Sequence, residues 1–131
     1  MKRTPVNPWS WSLQLGFNQA EILQGDARTL VCAGQTAVDG DGNPQHPDDM
    51  RRQVALALDN LEAVLGAAGM NLSHVVRLVV YSTDVDQTLA SFDLLGSRLG
   101  SAGVAPPMTL LGVTRLAQPS LMVEIEATAA D

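Results

Sequence analysis

The sequence predicts an α+β domain in which two helices cover one face of a mixed β-sheet. Three observations carry this expectation. Strand-like runs occur at 15–23, 29–36, 75–81 and 106–127, and helical periodicity occurs only at 47–69 and from 84 to about 100. The resulting order is strands, helix, strand, helix, strands. The 131 residues, 46% of them hydrophobic, suffice for one core and are too few for two, so a single domain spanning 1–131 is expected.

Taken in order, residues 1–12 combine Pro5, Pro8, Trp9 and Trp11 and read as an extended arm. The two tryptophans either pin that arm to the body or wall a ligand cleft. Residues 15–23 and 29–36 read as antiparallel strands around the turn Gln24-Gly25-Asp26-Ala27. The Asp- and Gly-rich stretch 38–44 invites comparison with a calcium loop. That comparison fails, because Pro44 stands where a glycine is needed and Met50 where the bidentate glutamate is needed. The stretch reads as a solvated turn.

Residues 47–69 form the clearest helix: Met50, Val54, Leu58, Leu61 and Leu65 make one apolar stripe, Asp48 and Asp49 suit its N-terminus, and Gly69 ends it. Residues 75–81 are β-branched and apolar in both directions, as a central strand covered on two faces would be. Asp84 or Asp86 caps a second helix with Leu89, Phe92, Leu95 and Leu99 along one side. Pro106–Leu116 and Leu121–Ala127 then read as a hairpin about Gln118-Pro119-Ser120, with Glu124 and Glu126 on one face of its second strand. Two helices cover only one face of such a sheet. The other face calls for a second subunit, so an oligomer whose sheets meet is expected.

A net charge of −6 with scattered Lys and Arg argues against nucleic acid or an anionic membrane as partner. No stretch is long and apolar enough to span a bilayer, and no leader is recognised, so a soluble, cytoplasmic protein is expected. The single cysteine, Cys32, precludes an intrachain disulfide and a cysteine-built metal site, and it reads as a small core residue. Phosphate loops, G-x-S-x-G turns and H-E-x-x-H helices are absent, and His46 and His74 read as surface residues. If the Glu124–Glu126 face is buried, each carboxylate needs a partner, and an unpaired one should have a raised pKa; if it is solvated, they are ordinary edge polarity.

Leu15-Gly16-Phe17-Asn18-Gln19-Ala20, Ala33-Gly34-Gln35, Gln53 with Asn60-Leu61 and Ala67-Ala68-Gly69, and Pro106-x-x-Thr109 with Val123-Glu124-Ile125-Glu126-Ala127 together resemble the RidA (YjgF) family over nearly the whole chain after residue 12. The resemblance implies a chorismate mutase-like fold: a mixed six-stranded sheet with two helices on one face, assembled as a homotrimer with ligand clefts between subunits. It implies hydrolysis of enamines and imines such as 2-aminoacrylate without metal or organic cofactor. Carried over by position, Glu124 positions water, Thr109 follows the family's substrate-binding arginine, and Gly34 contributes backbone groups. The arginine position itself is Met108, the tyrosine position is Phe17, and a position often held by asparagine is Phe92.

Methionine cannot form a bidentate pair with a carboxylate, and hydrogen bonds to a charged group contribute roughly 1.5–3 kcal/mol. The resemblance therefore implies a cleft lined by Phe17, Phe92, Met108 and Leu110 that prefers an apolar or uncharged ligand over 2-aminoacrylate. Arg77 and Arg115 are the candidates to replace the missing cation. The alternative is a non-catalytic trimer that binds a small metabolite.

Overall fold

The structure, a computed structural model, describes residues 1–25 and 28–131. Its strands are β1 (Lys2–Val6), β2 (Ala20–Gln24), β3 (Thr29–Val31), β4 (Gln35–Thr36), β5 (Val75–Ser82), β6 (Met108–Gly112) and β7 (Val123–Ala130). The helices are α1 (Met50–Ala67), α2 (Val85–Ala90) and α3 (Phe92–Ser101), and short 3-10 helices occupy Trp11–Leu15 and Leu72–His74. A five-stranded mixed sheet runs β3-β7-β5-β6, with β4 also paired to β7, and β1 and β2 form a separate antiparallel ribbon.

The first helix starts and stops for local reasons. The Asp49 carboxylate accepts the backbone N–H of Arg52 at 3.0 Å, satisfying one of the orphan donors of the first turn. At the other end Gly69 adopts φ 72°, and Met70 N–H reaches the Leu65 carbonyl at 2.9 Å, the closure that a left-handed residue permits. All five residues of the apolar stripe are buried against Leu78 and Val80 of β5 and Val123 and Ile125 of β7. The second helix is broken at Ser91 into α2 and α3, and its cap is Asp84, which accepts Gln87 N–H at 3.1 Å. Leu95 and Leu99 join the core, whereas Leu89 turns outward at 52% exposure.

Three expectations need correction. The closing segment is not a hairpin: β6 and β7 lie on opposite sides of β5, parallel and antiparallel to it respectively. The α2–α3 crossover returns the chain parallel to β5, and the ten-residue connection after β6 then carries it across to the other edge. The opening strands do not pair with each other either. The first forms only from Ala20, after Gly16 turns the chain at φ 85°; β2 pairs with β1, and β3 pairs with β7. Of the turn between them, Asp26 and Ala27 lie outside the described residues. Finally, the arm is not pinned by its tryptophans, which are 61% and 54% exposed at Trp9 and Trp11. Arg3 pins it instead, pairing with Glu21 at 2.7 Å and donating to the carbonyls of Ser73 and Val75 at 2.9 and 2.8 Å.

Buried polar groups fix the connections. Gln53 is fully buried on α1; its amide donates to the carbonyls of His46 at 3.1 Å and Ser120 at 2.9 Å, and its oxygen accepts Met122 N–H at 2.8 Å. One side chain thus ties the helix entry to the approach to β7. Gln53→Leu keeps the volume approximately but leaves these backbone groups unpaired, and it should lower unfolding free energy by about 1–3 kcal/mol. Urea denaturation checks this; an unchanged midpoint contradicts it.

Candidate functional site

Period-two geometry sorts the sheet residues into two faces. Met108 and Leu110 lie opposite Leu78 and Val80 and therefore share the helix-covered face. Thr109 lies opposite Val79, Glu126 also opposite Val79, and Glu124 opposite Tyr81 and Thr36, so these three occupy the face without helices. On that face Val31 is 77% exposed and Leu111 45%.

At the β6 edge, on the helix side, Leu15, Phe17, Leu89, Phe92, Met108 and Leu110 line a cleft of about 400 Å³. Four of the expected ligand-binding residues, Phe17, Phe92, Met108 and Leu110, are therefore brought together. None of the lining side chains carries a charge, an amide or a hydroxyl. Trp11 stands behind one wall: its ring meets Phe17 edge-on, centroids 5.9 Å apart and planes at 82°. Within one chain neither arginine reaches this cleft to stand in for the cation that the resemblance implies. Arg115 donates to the carbonyls of Leu116 and Ala117 on its own loop, and Arg77 donates to Thr109 Oγ1 at 3.3 Å on the opposite face.

The polar half of the expected site lies on that opposite face. A Cβ built on Gly34 would stand 1.9 Å from Glu124 Oε1 and 2.6 Å from its Cδ, so the carboxylate occupies the space that any other residue at 34 would fill. A larger residue there would displace the Glu124 side chain from this position. The Tyr81 hydroxyl reaches Glu126 Oε1 at 3.4 Å, a long hydrogen bond. Loss of hydration raises the Tyr81 pKa above the ordinary phenol value, and the neighbouring Glu126 and Glu124 charges raise it further. Sequence reasoning missed Tyr81, Leu15 and Leu89. Tyr81 enters only through strand register, which no local pattern in the chain specifies.

The remaining candidates sit elsewhere. Cys32 is buried in the main core, and burial pushes its thiol pKa up, opposite to what a nucleophile needs. His74 Nδ1 accepts Asn71 N–H at 3.0 Å as part of a capping box. His46 contributes its carbonyl to Gln53 from a backbone with φ 56°. Among the described residues no group of three or more His, Cys, Asp or Glu gathers as a metal site would, and no helix is long and apolar enough to cross a membrane.

With this geometry in place, the family model described as Endoribonuclease L-PSP matches residues 15–131. The chain belongs to this family, which is the RidA/YjgF family. As a Rid protein it is 30% identical to Protein mmf2, mitochondrial, of Schizosaccharomyces pombe over 131 residues, all of both chains. It is 35% identical to RutC family protein YjgH of Escherichia coli K12 over 98 residues, 75% of this chain and 72% of that one. Among solved structures it is similar to the Rid-family protein YyfB of Yersinia pestis, with a TM-score of 0.89, 33% identity and 100% of both chains covered. The α+β architecture with its mixed sheet is that of the Rid neighbours.

Tyr81 is the only tyrosine, so its titration can be read without ambiguity from phenolate absorbance. Its midpoint should lie above that of a free phenol, and Glu126→Gln should lower it without restoring the free value, because burial remains. A midpoint that does not move contradicts the contact.

Proposed function

We propose that this Rid protein binds a small ligand in clefts between the subunits of a homotrimer and hydrolyses an imine, enamine or related C–N bond on a substrate without a carboxylate. The observation that carries this reading is the uncharged cleft with Met108 at the family's arginine position. A carboxylate entering it would lose hydration and gain no cation from the same chain in exchange. The proposed step is hydration of the C=N carbon by a water held at Glu124, proton transfer to nitrogen, and breakage of the C–N bond. Imine and water give carbonyl compound and ammonia. Thr109 and Gly34 help fix the reacting centre, and the reaction needs no metal or organic cofactor.

The trimer is part of the proposal because one chain does not gather the site. Glu124 and Thr109 lie on one face of the sheet and Met108 on the other, so a second copy must bring an uncovered face to a cleft. That same separation favours the second reading, a non-catalytic binding trimer in which Glu124 is an interface carboxylate. The family description names an endoribonuclease, yet a net charge of −6 disfavours attraction to RNA phosphates, and we do not propose that activity.

Ammonia release by purified protein tests this. Hydrophobic imines should be turned over faster than 2-aminoacrylate, Glu124→Ala should abolish turnover, and Met108→Arg should raise kcat/KM for 2-aminoacrylate by about 10-fold or more. Efficient wild-type deamination of 2-aminoacrylate contradicts the reading. Saturable binding without turnover, indifferent to Glu124→Ala, favours the binding module instead.

A further inference from the structure

We infer that the apolar cleft takes an uncharged aromatic group, and that Trp11 supports this preference from behind the Phe17 wall. The inference rests on the small-molecule reading above and narrows its ligand class. Two phenyl rings, Phe17 and Phe92, and the thioether of Met108 line the space, and rings and sulfur make their best contacts with another ring, at its face or edge. A space of about 400 Å³ lies within the range of small-molecule sites and suits one or two fused rings.

The mouth extends the same chemistry outward. Leu15 and Leu89 are 65% and 52% exposed although both line the cleft. Trp11 does not line the cleft itself; it packs edge-on behind Phe17 and keeps about half its surface in water. Its edge-on contact supports the Phe17 ring, so Trp11 acts as a positioning residue. Trp9 is similarly exposed but is not in ring contact with Phe17, and it serves as the internal control.

The chain has two tryptophans, so Trp9→Phe leaves Trp11 as the only indole. Titrating that variant with the uncharged fluorophore N-phenyl-1-naphthylamine should give saturable quenching of Trp11 emission. The negatively charged counterpart with the same rings, 8-anilino-1-naphthalenesulfonate, should bind at least about 10-fold more weakly. Phe92→Asp should abolish probe binding, and Trp11→Ala should weaken it roughly 5-fold or more with the circular dichroism spectrum unchanged. Non-saturable binding, equal affinity for both probes, or indifference to Trp11→Ala overturns the inference. So does a Trp11→Ala protein that changes oligomeric mass while keeping probe affinity, because Trp11 would then belong to an interface. Ammonia release measured on aryl and aliphatic imines separates this inference from the hydrolase reading. Probe binding without turnover leaves the aromatic cleft standing and sinks the hydrolase. Turnover of aliphatic imines with no preference for aryl ones and no probe binding does the reverse.

Discussion

The alternation of β5 and β7 assigns the side chains of the central sheet to two different environments, and the rest of the structure follows from that division. Val75, Leu78 and Val80 with Val123, Ile125 and Ala127 meet α1 and α3, where close packing and removal of apolar surface from water stabilise the fold. Arg77, Val79 and Tyr81 with Glu124 and Glu126 face the other way. Hydrophobic burial therefore makes one face of the sheet a structural core and leaves the other to carry carboxylates, a phenol and a guanidinium. A one-residue slip in β7 would exchange the two sets, placing Glu124 and Glu126 under the helices. The cost of burying unpaired carboxylates there opposes such a slip alongside the loss of apolar contacts.

Polar groups buried at the margins of this arrangement act as fasteners. Gln53 binds the entry to α1 and the approach to β7, while Asn60 donates to the carbonyls of Thr36 and Val38 at 2.8 and 3.0 Å and holds β4 beside the helix. Gly34 immediately precedes β4, and its lack of a side chain leaves the space that Glu124 occupies. Arg3 performs the same role for the N-terminal ribbon, and Asn18 N–H bonds the Ala105 carbonyl at 2.8 Å, which sets Phe17 against the chain entering β6. The cleft is thus a consequence of where two loops are tied down.

The sequence was most legible where a local rule decides the outcome. The stripe from Met50 to Leu65, the Asp49 cap and the left-handed Gly69 define α1 from within its own residues, and the β-branched run around Val79 defines β5. It was least legible where the outcome depends on partner choice. Nothing in 108–112 or 123–130 says that β5 will lie between them; the α2–α3 crossover and the connection after β6 that carries the chain past β5 decide that. Nor does Pro5 announce β1, because a strand containing proline is tolerated only at an edge, and β1 has a single neighbour. Of the site, Glu124, Gly34 and Met108 were visible through family resemblance, while the contact of Tyr81 with Glu126 and that of Trp11 with Phe17 needed coordinates.

The central claim is that the apolar cleft of one copy and Glu124 of another form one site, and subunit complementation tests it most directly. Phe92→Asp and Glu124→Ala proteins should each be inactive toward hydrophobic imines. Unfolded, mixed in equal amounts and refolded together, they should regain about a quarter of wild-type turnover, the fraction of interfaces at which an intact cleft meets an intact Glu124 in a randomly mixed ring. Mixed assemblies that remain as inactive as either parent would contradict the claim.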